Sequence, residues 1–571
     1  MKKKIIITVI VILTIIILLL FFLKPIESIK DINYTAEISI VDDNDDELIH
    51  LVNNHKTTPI NLQEMNPKNI NILLNIEDKS FYTHNGFNLN RIFKTINSNI
   101  RNNQSYGAST ITQQYIKNVY LSNEKTFWRK LKELYYAIKL EQVATKDEIL
   151  TNYLNCVYFG NDIYGIGNAS KYYFNKNYKD LTVKEMTTFV ALLNAPTYYS
   201  TNLDKLEEKK NTLLDVLFND GIITNEEYNE ALNPIEFKIN KEIYNSNLLF
   251  FTDALLNEYD NLHLNPKFNE KITIHTRYQK GMNEISIPTS ANYASIAVDK
   301  DGYIISVIGN KDYYESAFNI ATSGKRDIGS TIKPILYYEA LKCGYSVNTT
   351  YYSAPYSFDY HNEKITIKNN ASTYPYKNIG MKEALATSDN IYAIKTHQAI
   401  GFKTLANHLK KYNIDSQSLP SLALGSVGMS LKQLIRIYTQ FFTEGKYLYL
   451  KYIDEVFIDD KIKYTCENDY QILGDAKHFK TIKGLMNGLF DSSIPHATAS
   501  GIANLLKTKC YGKSGLTDFD SYMIGFNDDV LVGVWAGYLD NQELTDLETK
   551  RLPKQLFVRL INSYRLPSHS A

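Results

Sequence analysis

Nineteen uncharged residues, Ile5 to Leu23 (IIITVIVILTIIILLLFFL), follow Lys2, Lys3 and Lys4 and end at Lys24. As a helix such a run rises about 28 Å, close to the ~30 Å hydrocarbon core of a bilayer, and it would satisfy its own backbone polar groups there. A cleaved export signal has a shorter apolar stretch and ends at a small-x-small site, whereas this run exits through FFLKPIES. It therefore reads as an uncleaved transmembrane anchor at 5–23. The lysines hold a short cytoplasmic tail, 1–4, inside, and everything after Lys24 lies outside. The expected location is the cell membrane, single-pass, with the working domains on the outer side.

The rest of the 571 residues is too long for one ordinary core and predicts two domains with connecting pieces. An apolar share of 44% and a charged share of 22% are those of a globular chain. The 62 basic and 62 acidic residues cancel, so there is no broad basic field and no nucleic-acid partner is expected. Cys156, Cys343, Cys466 and Cys510 are far apart and lack metal-ligand spacing. They read as buried small hydrophobes, with a disulfide between two of them as the alternative outside the cell.

Residues 24–62 are polar and irregular, as suits a stalk. From 63 to 235 the pattern is helical, with Thr-x-x-Glu capping boxes at Thr145/Glu148, Thr182/Glu185 and Thr224/Glu227 opening runs of 3.6 period. Residues 236–290 read as a linker with short strands. In 291–565, Ala294–Gly309 gives two strand-like runs about Asp301-Gly302, and Ser521–Asp540 repeats that texture about Asn527–Asp529. Helical sequence lies between them, which predicts an α/β layer structure on an antiparallel sheet.

Several stretches of the helical region carry chemistry-bearing residues. Glu77-Asp78 opens EDKSFYTHNGF, which also holds Phe81 and His84. An acidic pair at a helix end is by itself an ordinary solvated cap. GASTITQQ (Gly107–Gln114) either cradles an oxygen-rich ligand or starts a helix. In RKLKE, Arg129 and Lys130 precede Glu133 by four and three residues and share its helix face, either as a salt bridge or as a basic clamp for phosphates beside a carboxylate.

In this order, and followed by DEILTNYLNCVYFGNDIYGIGNAS (Asp147–Ser170), these stretches resemble the successive motifs of the family 51 peptidoglycan glycosyltransferases, the lysozyme-like polymerase domain of class A penicillin-binding proteins. The resemblance implies Glu77 as the general base toward the acceptor sugar hydroxyl and Glu133 as a second carboxylate. Arg129 and Lys130 would neutralise the departing lipid pyrophosphate. Asp78, Phe81, His84, Ser109, Thr110, Gln113, Gln114 and Lys117 would line the substrate cleft. No cofactor is called for with certainty, and a divalent cation, Mg or Mn, is left open for the glycosyltransferase. One departure is Asn88, where the family has Asp.

GSTIKP at Gly329–Pro334 contains a Ser-x-x-Lys pattern, which alone is weak, since SNEK at Ser122–Lys125 has it too. Here TSDN follows, with Ser388 58 residues after Ser330, and then GKSGL, with Lys513 a further 125 residues on. The order Ser-x-x-Lys, Ser-x-Asn, Lys-Ser-Gly resembles the penicillin-binding transpeptidase domain. It implies Ser330 as acyl nucleophile and Lys333 as the favoured base. Ser388 would act as proton relay and Asn390 would hold the substrate amide. Lys513, Ser514 and Gly515 would form the carboxylate edge, and the backbone N–H groups of Ser330 and Leu516 the oxyanion hole. Leu516 stands where the family commonly has Thr.

The sequence thus predicts a membrane-anchored bifunctional peptidoglycan synthase acting on lipid II and nascent glycan, on stem peptides ending in D-Ala-D-Ala, and on β-lactams. Cell-wall elongation or division proteins are the expected protein partners. The alternative is an active glycosyltransferase whose second domain only binds or scaffolds substrate. A β-lactam sensor or β-lactamase would not call for the upstream polymerase motifs.

Overall fold

The computed structural model describes residues 37–52, 55–88, 109–120, 126–264, 270–369 and 373–565. The apolar run at 5–23 lies outside them, and no described helix is long and apolar enough to cross a membrane.

Among the described residues the main helices of the first unit are α1 (Pro67–Glu77), α2 (Ile111–Tyr120), α3 (Phe127–Leu140), α4 (Lys146–Cys156), α5 (Ile166–Phe174), α6 (Val183–Leu193), α7 (Leu203–Asn219) and α8 (Asn225–Ala231), with a single further turn at Pro196–Tyr199. The boxes before α4, α6 and α8 are closed in both directions, with hydroxyl to backbone and Glu to cap, a device worth about 1 kcal/mol per helix start. Helix α6 is apolar nearly all round, with Phe189, Val190, Ala191 and Leu192 fully buried, so it forms the core element against which α1 and α7 pack.

The irregular stalk expected at 24–62 is corrected for its described part. Strands β1 (Glu37–Val41), β2 (Glu47–Val52) and β3 (His55–Thr57) join a six-stranded sheet with β4 (Lys271–Thr276) and the strands Ile453–Ile458 and Lys461–Thr465. β1 runs parallel to β4, pairing Ile38 with Ile272 and Ile40 with Ile274, and these four isoleucines enter one core with Val456. The alternation EISIV was present in the sequence, but its acidic surroundings masked it.

The expected linker at 236–290 also differs. Besides β4 it holds a fifteen-residue helix, α9 (Ser246–Asp260), whose Leu249, Phe250, Phe251 and Leu255 are buried. Contacts of this region with the first unit are specific: Tyr244 donates to Asn168 Oδ1 at 3.1 Å, and Lys56 pairs with Asp253 at 2.7 Å.

The last unit is built on a five-stranded antiparallel sheet of β5 (Asn292–Asp299), β6 (Ile304–Ile308), β7 (Tyr511–Leu516), β8 (Asp520–Phe526) and β9 (Val530–Gly537), in the order β7-β8-β9-β5-β6. Both hairpins read from the sequence are present. β8 and β9 are buried along their whole length, because helices cover both faces, which is why they read as continuous apolar runs. On one face lie α10 (Lys333–Lys342), α11 (Met381–Thr387), α12 (Asn390–Ile400) and α13 (Leu431–Phe442); on the other lies α14 (Leu547–Ser563). β7 is an edge strand, and the edge is where a bound chain can approach backbone groups.

All four cysteines are free. Cys156 and Cys510 are buried as expected, whereas Cys343 is exposed and Cys466 partly so.

Candidate active sites

Helix α1 starts with Asn66 capping the Lys68 N–H and Pro67 in its first turn, and it ends at Glu77. Glu77 Oε2 accepts from Gln114 Nε2 at 2.8 Å, and Gln114 Oε1 accepts from the Tyr153 hydroxyl at 3.0 Å. One amide therefore fixes the carboxylate from α2 while a phenol on α4 fixes the amide. Burial, and secondly the charge on Glu77, push the Tyr153 phenol well above its ordinary pKa, so Tyr153 stays protonated, and with Gln114 Nε2 donating to Glu77 the amide oxygen is left to accept from the phenol.

The loop after α1 is a clasp. Asp78, fully buried, accepts from His84 Nε2 at 2.8 Å and from the Ile111 N–H at 2.9 Å. Gly86 N–H donates to His84 Nδ1 at 3.1 Å, which puts the ring proton on Nε2. Thr110 donates to Gly86 O at 2.8 Å, and its N–H donates to Gln113 Oε1 at 2.9 Å. Asp78, Phe81, Thr110 and Gln113 are thus buried in the join between α1 and α2, which corrects their expected place on the cleft surface. They support the site from within. Ser109 is partly exposed and accepts from Lys130 Nζ at 2.6 Å, Lys117 is exposed late in α2, and Asn88 donates to Ser80 Oγ at 2.6 Å.

Glu133 lies on α3 and is 1% exposed. Arg129 Nη1 donates to one carboxylate oxygen at 3.0 Å and Lys130 Nζ donates to the other. Breaking such a buried pair leaves an uncompensated charge, which costs far more than the few tenths of a kcal/mol of an exposed helical pair. The cations stay partly accessible, at 17% and 46%, so they can still meet an anion.

The second site is a cleft of about 1450 Å³ lined by Ser330, Ser388, Asn390, Ser514, Gly515 and Leu516, among others. Ser330 sits in the tight turn Gly329–Ile332, which runs straight into α10 with Lys333 as its first residue. Pro334 is tolerated there because first-turn N–H groups have no helical partner. Lys333 is fully buried, and its Nζ donates to Ser388 O at 2.7 Å and Asn390 Oδ1 at 2.8 Å, with Ser388 Oγ at 3.4 Å. Burial lowers its pKa to about 7 against the opposing charge of Asp389.

Asp389 organises the Ser-x-Asn segment. It caps α12 by accepting the Tyr392 N–H at 2.7 Å, and its other oxygen accepts from Ser353 Oγ at 2.5 Å and Asn369 Nδ2 at 2.7 Å. Asn369 Oδ1 in turn accepts the Asn390 N–H at 2.8 Å. This web holds Ser388 in the left-handed region, φ 60 and ψ 38, which costs a non-glycine residue about 1 kcal/mol or more. The result is that Ser388 and Asn390 both turn toward Lys333. Both ends of the Asn390 amide are engaged, since Nδ2 donates to Lys368 O at 3.0 Å.

On β7, Lys513 is fully buried and donates to Ser514 O at 2.9 Å, while Ser514 Oγ and Thr498 Oγ1 are 2.7 Å apart. Burial, then the charges of Lys333 and Lys554, hold Lys513 well below the ordinary lysine range. At Gly515 a Cβ would stand 2.8 Å from Thr331 Cγ2 and 2.9 Å from Ile328 O, so glycine lets the strand close on the Ser330 turn. Gly425, at φ +87, receives the Gly329 N–H, and a Cβ there would lie 2.0 Å from Gly329 O. The segment Leu422–Ser426 is thereby pressed against the turn that carries Ser330.

Comparison with known proteins identifies both domains. The transglycosylase family model matches residues 45–218, and the penicillin binding protein transpeptidase domain model matches 293–545. Penicillin-binding protein 2D of Bacillus subtilis (strain 168) is 33% identical over 87% of this chain and 76% of that protein. The chain belongs to the class A penicillin-binding proteins. Penicillin-binding protein 1F of the same organism is 30% identical over 88% of the chain and 73% of its own length. A crystal structure of penicillin-binding protein 1A from Haemophilus influenzae shares the fold, with a TM-score of 0.60 at 16% identity over 94% of both chains.

As a class A penicillin-binding protein the chain has peptidoglycan glycosyltransferase and D-Ala-D-Ala transpeptidase activity, and its family implies lipid II, stem peptides and β-lactams as ligands. Sequence reading missed Asn369, Ser353 and Thr498, which lie outside every motif, and passed over Tyr153 within the Asp147–Ser170 stretch. Asp389 was in view as the middle residue of Ser-x-Asn, and its helix-capping position was the signal. Among the described residues no group of three or more His, Cys, Asp or Glu is arranged to hold a metal ion.

Proposed function

We propose that Glu77 is the base of the polymerase and Ser330 the nucleophile of the transpeptidase, in a chain anchored by a single pass at 5–23 with its N-terminus inside. Glu77 takes the proton of the acceptor sugar hydroxyl as that oxygen attacks the anomeric carbon of the donor, with inversion and loss of lipid pyrophosphate. Arg129 and Lys130 meet the pyrophosphate, and Glu133 keeps the two cations in place. The Gln114–Tyr153 pair supports this by holding Glu77 in one orientation, which a base needs before its pKa matters.

In the second domain Lys333 in its neutral form takes the Ser330 hydroxyl proton as Oγ attacks the peptide carbonyl. The oxyanion is met by the Ser330 and Leu516 N–H groups, and Ser388 passes a proton to the departing D-Ala amine. Lys513 and Ser514 receive the terminal carboxylate. The acyl group then moves to an amine of a second peptide. The observation that carries this reading is the convergence of the three motifs on one cleft with Lys333 buried among Ser388 and Asn390, since a lysine poised near neutral pH can act as a base.

The test is intact-mass spectrometry of the protein after exposure to a penicillin, beside Ser330→Ala. A stable adduct of one drug molecule on the parent and none on the variant is expected. Its absence from the parent, in protein that still polymerises lipid II, would favour a second domain that only scaffolds substrate, the reading that Leu516 raises.

A further inference from the structure

The transpeptidase cleft has a second basic wall, supplied by the C-terminal helix. Lys550, Arg551 and Lys554 of α14 line the same cavity as Ser330 and Ser514. The helix is seated on strand β8, next to the edge strand β7, through the Ser521 hydroxyl, which donates to Lys550 O at 2.9 Å, and Ser521 lies directly across the ladder from Leu516. The first turns of α14 therefore lie against the row that carries Leu516, and Lys554 follows Lys550 by one helical turn, close enough for its charge to act on Lys513.

Lys554 is largely withdrawn from water, yet no acid compensates it. The groups that bear on its titration are burial, first, and then the like charge of Arg551, and among the described residues it forms no ion pair. Of the acids that line the cleft, Asp389 is bonded to Ser353 and Asn369, and Glu383 pairs with Lys377 at 2.9 Å, while Asp327, Asp518 and Glu543 line it without an ion pair to Lys554. A partly buried cation without a partner is costly to the fold alone and becomes favourable when a ligand brings the anion.

Leu516 leaves the carboxylate edge of β7 with one hydroxyl, Ser514, whose Oγ is already within hydrogen-bond distance of Thr498. We infer that Lys554, with Arg551 at the cleft mouth, completes the carboxylate subsite on the α14 side, so that the terminal carboxylate of the donor peptide is held between β7 and α14 rather than by strand β7 alone. This rests on the reading of Ser330 as the acylated serine for the identity of its ligand. It adds a specificity residue from a helix that none of the three motifs includes.

The test is an equilibrium one, so that it does not depend on acylation. Full-length Ser330→Ala protein is titrated by NMR with an acylated Lys-D-Ala-D-Ala peptide bearing a free carboxylate and with the same peptide as its C-terminal amide. The Ser330→Ala protein is expected to prefer the carboxylate at least tenfold, with Ser330→Ala/Lys554→Gln losing about tenfold of that preference and Ser330→Ala/Lys554→Arg keeping most of it. An unchanged preference in the Lys554→Gln protein, an equal loss for both peptides, or no preference in Ser330→Ala itself would each overturn the inference. Arg551→Gln, at an exposed position, gives a smaller loss in the same direction and serves if Lys554→Gln does not fold. Failure of the Ser330 reading shows separately, as absence of a penicillin adduct on the parent.

Discussion

The two proposed bases, Glu77 and Lys333, are prepared in opposite ways. In the helical domain the Glu77 carboxyl group is steered by a neutral amide and a phenol, Gln114 and Tyr153. In the α/β domain a lysine, ordinarily protonated and useless as a base, is pressed to a pKa near 7 by complete burial. The first site spends its structure on orientation, and the second on desolvation. The contrast extends to the neighbours. Glu133 has its charge matched by two cations, whereas Lys333, Lys513 and Lys554 stand together with their pKa values lowered. A site built on desolvation of a lysine should be pH-sensitive near neutrality.

The largest effects would test whether the two bases are independent. Glu77→Gln keeps the shape and removes the base, so glycan polymerisation should fall by about 10²–10⁴-fold while penicillin acylation of the same protein is unchanged; loss of both would break the comparison. Lys333→Met should do the reverse and abolish acylation.

It should also be more stable than the parent below pH 7. The parent binds fewer protons folded than unfolded between its folded pKa of about 7 and the usual lysine value, so parental stability rises with pH across that window. The advantage of Lys333→Met should therefore shrink from pH 7 toward pH 10 in thermal melts.

The pH profile sharpens the contrast. Because the neutral lysine is needed, the acylation rate constant should climb about tenfold per pH unit below pH 7 and level off above it. Asp389 opposes the depression of Lys333, so Asp389→Asn should move that limb to lower pH. It should also lower the melting temperature, since the change disturbs three hydrogen bonds of a buried carboxylate, worth about 1–3 kcal/mol. A limb that stays near 7 would mean that another group titrates.

Gly425→Ala places a methyl group into Gly329 O and demands a left-handed alanine, so acylation should drop at least tenfold while polymerisation persists. The smallest effect belongs to Asn88→Asp: the amide donates to a serine hydroxyl in the loop after α1, and polymerisation should change by less than about threefold, a range set by loss of one part-buried hydrogen bond.

The helices at 63–235 and the two hairpins were legible because capping boxes and period are local signals. The first strands and α9 were not, because what defines them is a partner far away in sequence. EISIV becomes a strand only when Ile38 and Ile40 meet Ile272 and Ile274. In the sites the motifs gave the residues that carry charge, but not which of them face a ligand. Asp78 and Glu77 are adjacent in sequence, yet one is sealed by His84 and the Ile111 N–H while the other reaches Gln114. Lys554 had no signal at all, since it reaches the cleft through the packing of α14 on the sheet.

The six-stranded sheet also sets a timetable. Its first strand pairs with Lys271, 234 residues later in the chain, and β4 pairs with a strand that begins at Ile453. At ~5–20 residues per second, Glu37 emerges at least about ten seconds before its parallel neighbour and about twice that before the strand beyond it. During that interval β1 to β3 form at most a small meander with an open edge, while the helical domain that follows them can already close on its own core. The nascent polymerase thus folds beside an unfinished sheet, and the moment of greatest exposure to misassociation or proteolysis ends only when the transpeptidase half has delivered residues 453–465.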